Sequence, residues 1–120
     1  MLASFPAEYN PVEARADGSV LSIIGSEDGS ADLDRAEAAV ERFDTEAFYA
    51  EVQGMNHYTW TDDPTPGDLA SDNPTTRPDS ETRVDAHRVI DIWLDAVLRD
   101  DEAAQAALDA GDFPGVEWTP

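Results

Sequence analysis

A chain of 120 residues with 41% hydrophobic content can bury one modest core, so the sequence predicts a single domain. Its 27 acidic residues face only seven basic residues, all arginine, and a net charge of −20 argues against nucleic-acid and membrane-surface partners because both are anionic. The absence of cysteine excludes disulfides, a thiolate nucleophile and Cys-ligated zinc.

The first half of the chain predicts a strand, a helix and a second strand. Residues 19–25 (SVLSIIG) form an apolar β-rich run between turn signals, and residues 46–54 (EAFYAEVQG) alternate Phe48, Ala50 and Val52 on one side. Between them, residues 30–43 show helical spacing of apolar side chains, with Ser30 as the expected cap. A crossover of this length predicts that the two strands are parallel neighbours.

The second half predicts a long loop followed by two helices. Residues 58–79 are rich in Pro, Asp, Thr and Gly and predict a surface loop. A helix is expected over about 80–99, a shorter one over 101–110 ending at Gly111, and then an irregular tail over 113–120. The longer helix carries one apolar stripe, formed by Ala86, Val89, Ile90, Trp93, Leu94, Val97 and Leu98.

Two polar side chains follow the exits of the two predicted strands. Asp28 comes three residues after Gly25, and His57 comes three residues after Gly54. Because parallel strands open into a crevice at their carboxyl ends, we expect the two side chains to meet there. A carboxylate that accepts the ring N–H of a histidine fixes its tautomer and stabilises the imidazolium, as in the acid and base of a catalytic triad. Both glycines are expected to adopt φ > 0 in these tight exits.

The segments "VLSIIGSEDG" and "VQGMNHYTWTDD" resemble the acid and histidine segments of the α/β-hydrolase superfamily, in its dienelactone-hydrolase-like and esterase-like branch. The resemblance implies an α/β fold in which the acid, Asp28, follows the penultimate strand and the histidine, His57, follows the last. A C-terminal helix then packs back on the sheet. It also implies an ester or related acyl bond as substrate, attacked by a serine that His57 deprotonates. "MLASFPA" resembles the end of the preceding strand, so a third parallel strand is expected near residues 2–5.

The sequence departs from that family because it contains no G-x-S-x-G nucleophile elbow: "GSEDG" has its serine in the wrong place and "DGSVL" lacks the closing glycine. Residues 1–120 are therefore expected to form a single partial α/β-hydrolase domain, its C-terminal portion. Its catalytic residues would be Asp28 and His57, without cofactor or metal. A truncated gene, a misplaced start or a split protein would each produce such a chain, and we expect it to be inactive alone.

Alternatives remain for each of these residues. Glu27 or Asp32 could serve as the acid, and His87, beside the apolar stripe, is expected to be a partly buried structural histidine. A weaker hypothesis is a metal site built from His57, Asp62, Asp63 and His87. The three tryptophans are expected to pack, with Tyr58 and Trp60 at the crevice mouth if His57 faces it.

A second functional class also fits the composition. Strong acidity without lysine resembles proteins of salt-loving archaea, and the apolar content favours a folded chain over a disordered acidic tail. The chain could be a non-catalytic acidic interaction module that retains the fold remnant. An exposed parallel edge would then be a site for homodimer formation. The first residues, "MLASFPAEYN", show no signal-peptide core, so a cytoplasmic location is expected.

Overall fold

The chain forms an α/β domain around one mixed sheet. The structure, a computed structural model, describes residues 2–3 and 18–120. The strands are β1 (Leu2–Ala3), β2 (Val20–Gly25), β3 (Ala47–Val52) and β4 (Val116–Thr119), and they lie in the order β1-β2-β3-β4. Strands β1, β2 and β3 pair in parallel, whereas β4 pairs antiparallel to β3.

Four α-helices and one 3₁₀ turn connect the described strands. The helices are α1 (Leu33–Val40), α2 (Pro66–Ala70), α3 (Asp79–Arg99) and α4 (Glu102–Ala110), and the 3₁₀ turn spans His57–Trp60. Helix α1 begins later than the sequence predicts, because the carboxylate of Asp32, and not Ser30, caps it by accepting the Arg35 N–H. Helix α4 ends as predicted at Gly111, which adopts the left-handed conformation.

The sheet is packed on both faces. On one face, alternate residues of β2 and β3 meet the apolar stripe of α3; this core includes Leu21, Phe48, Val52, Val89 and Trp93. On the other face, Ile24 and Tyr49 meet Ala36 and Val40 of α1. Every residue of β2 is buried, as expected for a central parallel strand.

The stripe of α3 differs from the prediction at one end. Leu98 is 73% exposed, whereas Ala96 is buried in the core. The long helix therefore turns its last apolar residue to solvent, and α4 contributes the fully buried Leu108.

Two predicted irregular segments contain regular structure. The predicted loop over 58–79 holds most of the 3₁₀ turn and all of α2, which begins with a capping box between Thr65 and Asp68. The predicted irregular tail forms β4. There the Trp118 ring stacks on Phe48 with centroids 5.1 Å apart, and its indole N–H donates to the carbonyl of Leu108 at 3.1 Å. The contact with Phe48, which is distant in sequence, and the bond to Leu108 fix a short strand that has little local signal.

The strand expected near residues 2–5 is described only at Leu2–Ala3, which pairs with Leu21 and Ser22 of β2. The remainder of that prediction lies outside the described residues. Within residues 2–3 and 18–120, no helix is both long and apolar enough to cross a membrane.

Candidate functional site

Asp28 and His57 meet at the carboxyl ends of two adjacent parallel strands. Strand β2 ends at Gly25 and β3 at Val52, and these two residues are register partners. Nδ1 of His57 lies 2.9 Å from Oδ2 of Asp28. The Asp28 side chain is only 5% exposed and the imidazole is 30% exposed. The geometry therefore places a shielded carboxylate behind a ring that reaches the surface.

The loop after β2 fixes the orientation of the Asp28 carboxylate. Its Oδ1 atom accepts the backbone N–H groups of Ser30 at 2.9 Å and Ala31 at 2.8 Å. The Asp28 N–H donates to the carbonyl of Gly25 at 3.1 Å, which closes a turn directly at the strand end. With Oδ1 engaged by two donors, Oδ2 is directed at the histidine, and because an ionised carboxylate only accepts, Nδ1 is the donor.

The loop after β3 fixes the backbone of His57. Asn56 caps the 3₁₀ turn through a reciprocal pair of hydrogen bonds with Thr59, and both residues are buried. The Asn56 amide also donates to the carbonyl of Asn73 at 2.8 Å. The Tyr58 ring and the imidazole pack edge-to-face, with centroids 5.2 Å apart and an interplanar angle of 78°. His57 is thus the first residue of a 3₁₀ turn whose N-terminus is capped by the reciprocal bonds between Asn56 and Thr59.

Short backbone contacts hold the two loops together. The Glu27 N–H donates to the carbonyl of Met55 at 2.9 Å, and the Ser26 N–H donates to the carbonyl of Val52 at 3.0 Å. The Ser26 hydroxyl accepts the N–H of Gly54 at 2.9 Å. The sheet's hydrogen-bonding pattern therefore continues past the strand ends, up to the residues that precede Asp28 and His57.

Sequence reasoning missed Asp72, which contacts both loops. Its carboxylate accepts the backbone N–H of Gly29 at 2.6 Å and that of His57 at 2.8 Å. Asp72 is separated from these partners by 43 and 15 residues, respectively. No local spacing in the sequence marks such a long-range contact.

The alternative acids have other partners. The Glu27 carboxylate accepts the hydroxyls of Ser26 and Thr76. Asp32 caps α1 and pairs with Arg35. His57 is paired with Asp28, so the structure brings together the residues predicted first and not their substitutes.

The prediction of a partly buried His87 is wrong, because its side chain lies exposed on α3. This residue flanks the apolar stripe without entering it. Within the described part of the chain, no group of three or more His, Asp or Glu side chains is arranged to hold a metal ion.

A polar cleft of about 370 Å³ lies beside the 3₁₀ turn. Tyr58, Leu69 and Arg83 are among its lining residues. The Arg83 guanidinium donates to the Asp62 carboxylate and to the carbonyl of Thr61, both at 3.1 Å. Tyr58 lines this cleft, but Asp28 and His57 do not, so the cleft is not the crevice at which Tyr58 and Trp60 were expected. Trp60 is 41% exposed at the surface.

The Asp28 carboxylate can orient the imidazole of His57 and stabilise its protonated form. The bond from Nδ1 to the carboxylate holds the neutral ring in the tautomer whose Nε2 accepts a proton. A buried carboxylate close to the ring then stabilises the positive charge once the proton arrives. These are the two properties required of a general base and its orienting acid.

Comparisons of the chain with protein-family models, curated proteins and solved structures found no match. What can be inferred about function therefore depends on the geometry of this pair and on the sequence segments that carry it.

Proposed function

We propose that the chain carries the acid and the base of a Ser–Asp–His triad in a serine-type α/β hydrolase that acts on ester or related acyl bonds. The observation that carries the proposal is the 2.9 Å contact between Asp28 and His57 at the carboxyl ends of neighbouring parallel strands. In this proposal residues 1–120 are the C-terminal portion of the hydrolase domain, and the nucleophile is supplied by a segment outside them.

The proposed reaction assigns a separate role to each side chain. Nε2 of His57 takes the hydroxyl proton of the serine as its oxygen attacks the acyl carbon. The resulting imidazolium then gives that proton to the leaving alkoxide, and water repeats the sequence to release the acid. Asp28 stays ionised throughout; it holds the ring and stabilises its charge.

The burial of the two side chains suits these roles. Asp28, 5% exposed, is shielded from solvent, so its attraction to the imidazolium is screened little. His57 is 30% exposed, so its ring can be reached by a substrate and a nucleophile from the surface side. A strand carrying the nucleophile would pair with β1, the outer parallel strand of the described sheet.

The proposal predicts that the chain alone does not hydrolyse esters. The sequence has no G-x-S-x-G, and loss of the nucleophile together with the oxyanion-hole donors removes nearly all catalysis by a triad. The measurement is steady turnover of p-nitrophenyl acetate by purified chain. Turnover by the isolated chain that disappears on His57→Ala would contradict the missing-nucleophile part of the proposal.

The complementary experiment reads the DNA directly upstream and, if it encodes a G-x-S-x-G segment, joins that segment to the chain. We expect the joined protein to hydrolyse the ester and His57→Ala to lower kcat by about 10⁴-fold or more. His87→Ala is the matched control, because the other histidine of the chain is exposed on α3, and it should retain full activity. Equal activity of the His57→Ala and wild-type proteins would overturn the proposal. It would favour the non-catalytic acidic module.

A further inference from the structure

Asp72 lies on the segment between α2 and α3 and contacts the backbone of both site loops. Its Oδ1 atom accepts the N–H of Gly29 at 2.6 Å, next to Asp28 in the chain. Its Oδ2 atom accepts the N–H of His57 at 2.8 Å and approaches that of Tyr58 at 3.4 Å. A single partly buried carboxylate therefore spans the loop that carries the acid and the loop that carries the base.

We propose that Asp72 is a positioning residue that sets the separation and orientation of Asp28 and His57. Each of its two oxygens binds the backbone of a different loop, so the carboxylate fixes one loop against the other. Hydrogen bonds to an ionised acceptor are shorter and stronger than neutral ones. Asp72 makes these contacts with backbone groups and not with the imidazole, so it acts on the ring through the backbone of His57.

The segment that carries Asp72 is itself anchored to the exit of β3. The carbonyl of Asn73 accepts the Asn56 amide at 2.8 Å, and the Thr76 N–H donates to the carbonyl of Gly54 at 3.2 Å. Arg77 then donates to the carbonyl of Gln53 at 3.0 Å and to the Asp85 carboxylate of α3 at 2.8 Å. The segment that carries Asp72 is therefore anchored by hydrogen bonds to the exit of β3 and to α3, and this anchoring holds its carboxylate in place.

Asp72→Asn tests this role with a small change of shape. The carboxamide keeps one acceptor oxygen but turns an NH₂ group toward the second backbone N–H, so one of the two bridging bonds becomes a donor–donor contact. The inference rests on the proposed function, since it assumes that the Asp28–His57 pair is the acid and base of the site. Its test reads the pair directly and needs no enzymatic activity.

The readout is the tautomer of His57 in the full chain, measured by ¹⁵N NMR of the histidine ring at a pH where the ring is neutral. The wild-type ring should be protonated at Nδ1, because Asp28 accepts from that nitrogen. In Asp72→Asn the ratio of the Nδ1–H to the Nε2–H form should fall by about tenfold, because the charge-assisted bond between His57 Nδ1 and the Asp28 carboxylate is weakened. His87, exposed on α3, provides an internal reference in the same spectrum.

Two further variants separate the possible failures. Asp63→Asn removes one negative charge from an exposed position between the 3₁₀ turn and α2 and should leave the His57 tautomer unchanged. Asp28→Ala removes the acceptor itself and should shift the ratio at least as far as Asp72→Asn. An Asp72→Asn spectrum identical to wild type, with a shifted Asp28→Ala spectrum, overturns the role of Asp72 alone. A wild-type His57 protonated at Nε2 and indifferent to Asp28→Ala overturns the acid–base pair itself.

If Asp72→Asn fails to fold, hydrogen exchange of the wild-type chain tests whether the Asp72 carboxylate bridges the two loops. Gly29 is exposed, yet its N–H should exchange as slowly as that of His57, because both donate to the same carboxylate. Rapid exchange of the Gly29 amide in the folded chain would contradict the bridge.

Discussion

Gly25 is the last residue of β2 and Gly54 lies two residues after the end of β3, and each is required for a different physical reason. At Gly54 the backbone has φ +80, and an added Cβ would also meet the side chain of Arg77 at 2.7 Å. The predicted positive φ is therefore confirmed at Gly54. It is wrong at Gly25, where an added Cβ would instead overlap the carbonyl of Met55. Here the absence of a side chain lets the two loops approach each other.

Gly25→Ala should destabilise the chain because the neighbouring atoms are backbone and cannot rotate away. Forcing a methyl group into this contact should lower the free energy of unfolding by about 1–3 kcal/mol, the usual range for overpacking. The measurement is the midpoint of urea unfolding. Gly67→Ala is the matched control, since its added Cβ would meet only the Thr65 hydroxyl at 3.7 Å, and it should cost nothing. Equal midpoints for Gly25→Ala and wild type would contradict this view of the loop approach.

The pairing of Asp28 with His57 could be predicted from the sequence, whereas the contacts of Asp72 with the two loops could not. Asp28 and His57 each follow a recognisable strand by a few residues, so a rule about strand ends applies to both. Asp72 has no such position. It occurs in a segment rich in Asp and Pro, and only the folded arrangement shows which of the many carboxylates contacts the loops.

At the scale of secondary-structure elements, periodicity predicted those helices and strands that have a local pattern of apolar residues. Helix α3 has repeated apolar residues over many turns, and β2 and β3 are continuous β-rich runs, so all three were found at nearly their observed bounds. Strand β4 spans only four residues, and Trp118 is held there by aromatic contacts with Phe48 and Phe113. Because the stacking partner Phe48 is distant in sequence, no local period marks the strand.

The β3–β4 pair carries an unusual concentration of negative charge. Glu51 and Glu117 are direct register partners, an arrangement in which like charges destabilise a sheet. Tyr49, only 3% exposed, lies two residues before Glu51 and directs its hydroxyl to that carboxylate at 3.4 Å. Burial above all, and then the charges of Glu51, Glu37 and Glu117, raise the pKa of Tyr49 well above its ordinary value.

This shift predicts that the chain loses stability at alkaline pH. Because the pKa of Tyr49 is raised in the folded state, the unfolded chain releases the phenol proton first, and the free energy of unfolding falls as the pH rises above about 10. One such group contributes up to about 1.4 kcal/mol per pH unit, and its contribution is fully present below that pH. Urea unfolding over a pH series should therefore give a shallower alkaline decline for Tyr49→Phe than for wild type. Parallel declines would exclude Tyr49 as the cause.

At the scale of the whole molecule, most of the negative charge has no cationic partner to offset it. The described ion pairs use Arg35, Arg77, Arg83, Arg88 and Arg99, each facing at least one carboxylate. With seven basic and 27 acidic residues in the chain, such pairing leaves a large excess of carboxylates on a small surface. Mutual repulsion of these charges opposes the compact state.

Screening should therefore stabilise the chain, and the free energy of unfolding should rise steeply with NaCl concentration. The Debye length falls from about 10 Å at 0.1 M to about 3 Å at 1 M, which removes repulsion between all but neighbouring charges. Salt can also strengthen apolar burial, so a second protein is needed to isolate the charge effect. The triple variant Asp91→Asn, Asp112→Asn and Glu117→Gln removes three exposed charges outside the candidate site and should show a higher thermal midpoint at low salt and a smaller increase with NaCl. If wild type and the triple variant respond identically, the salt dependence comes from apolar burial and not from the acidic surface.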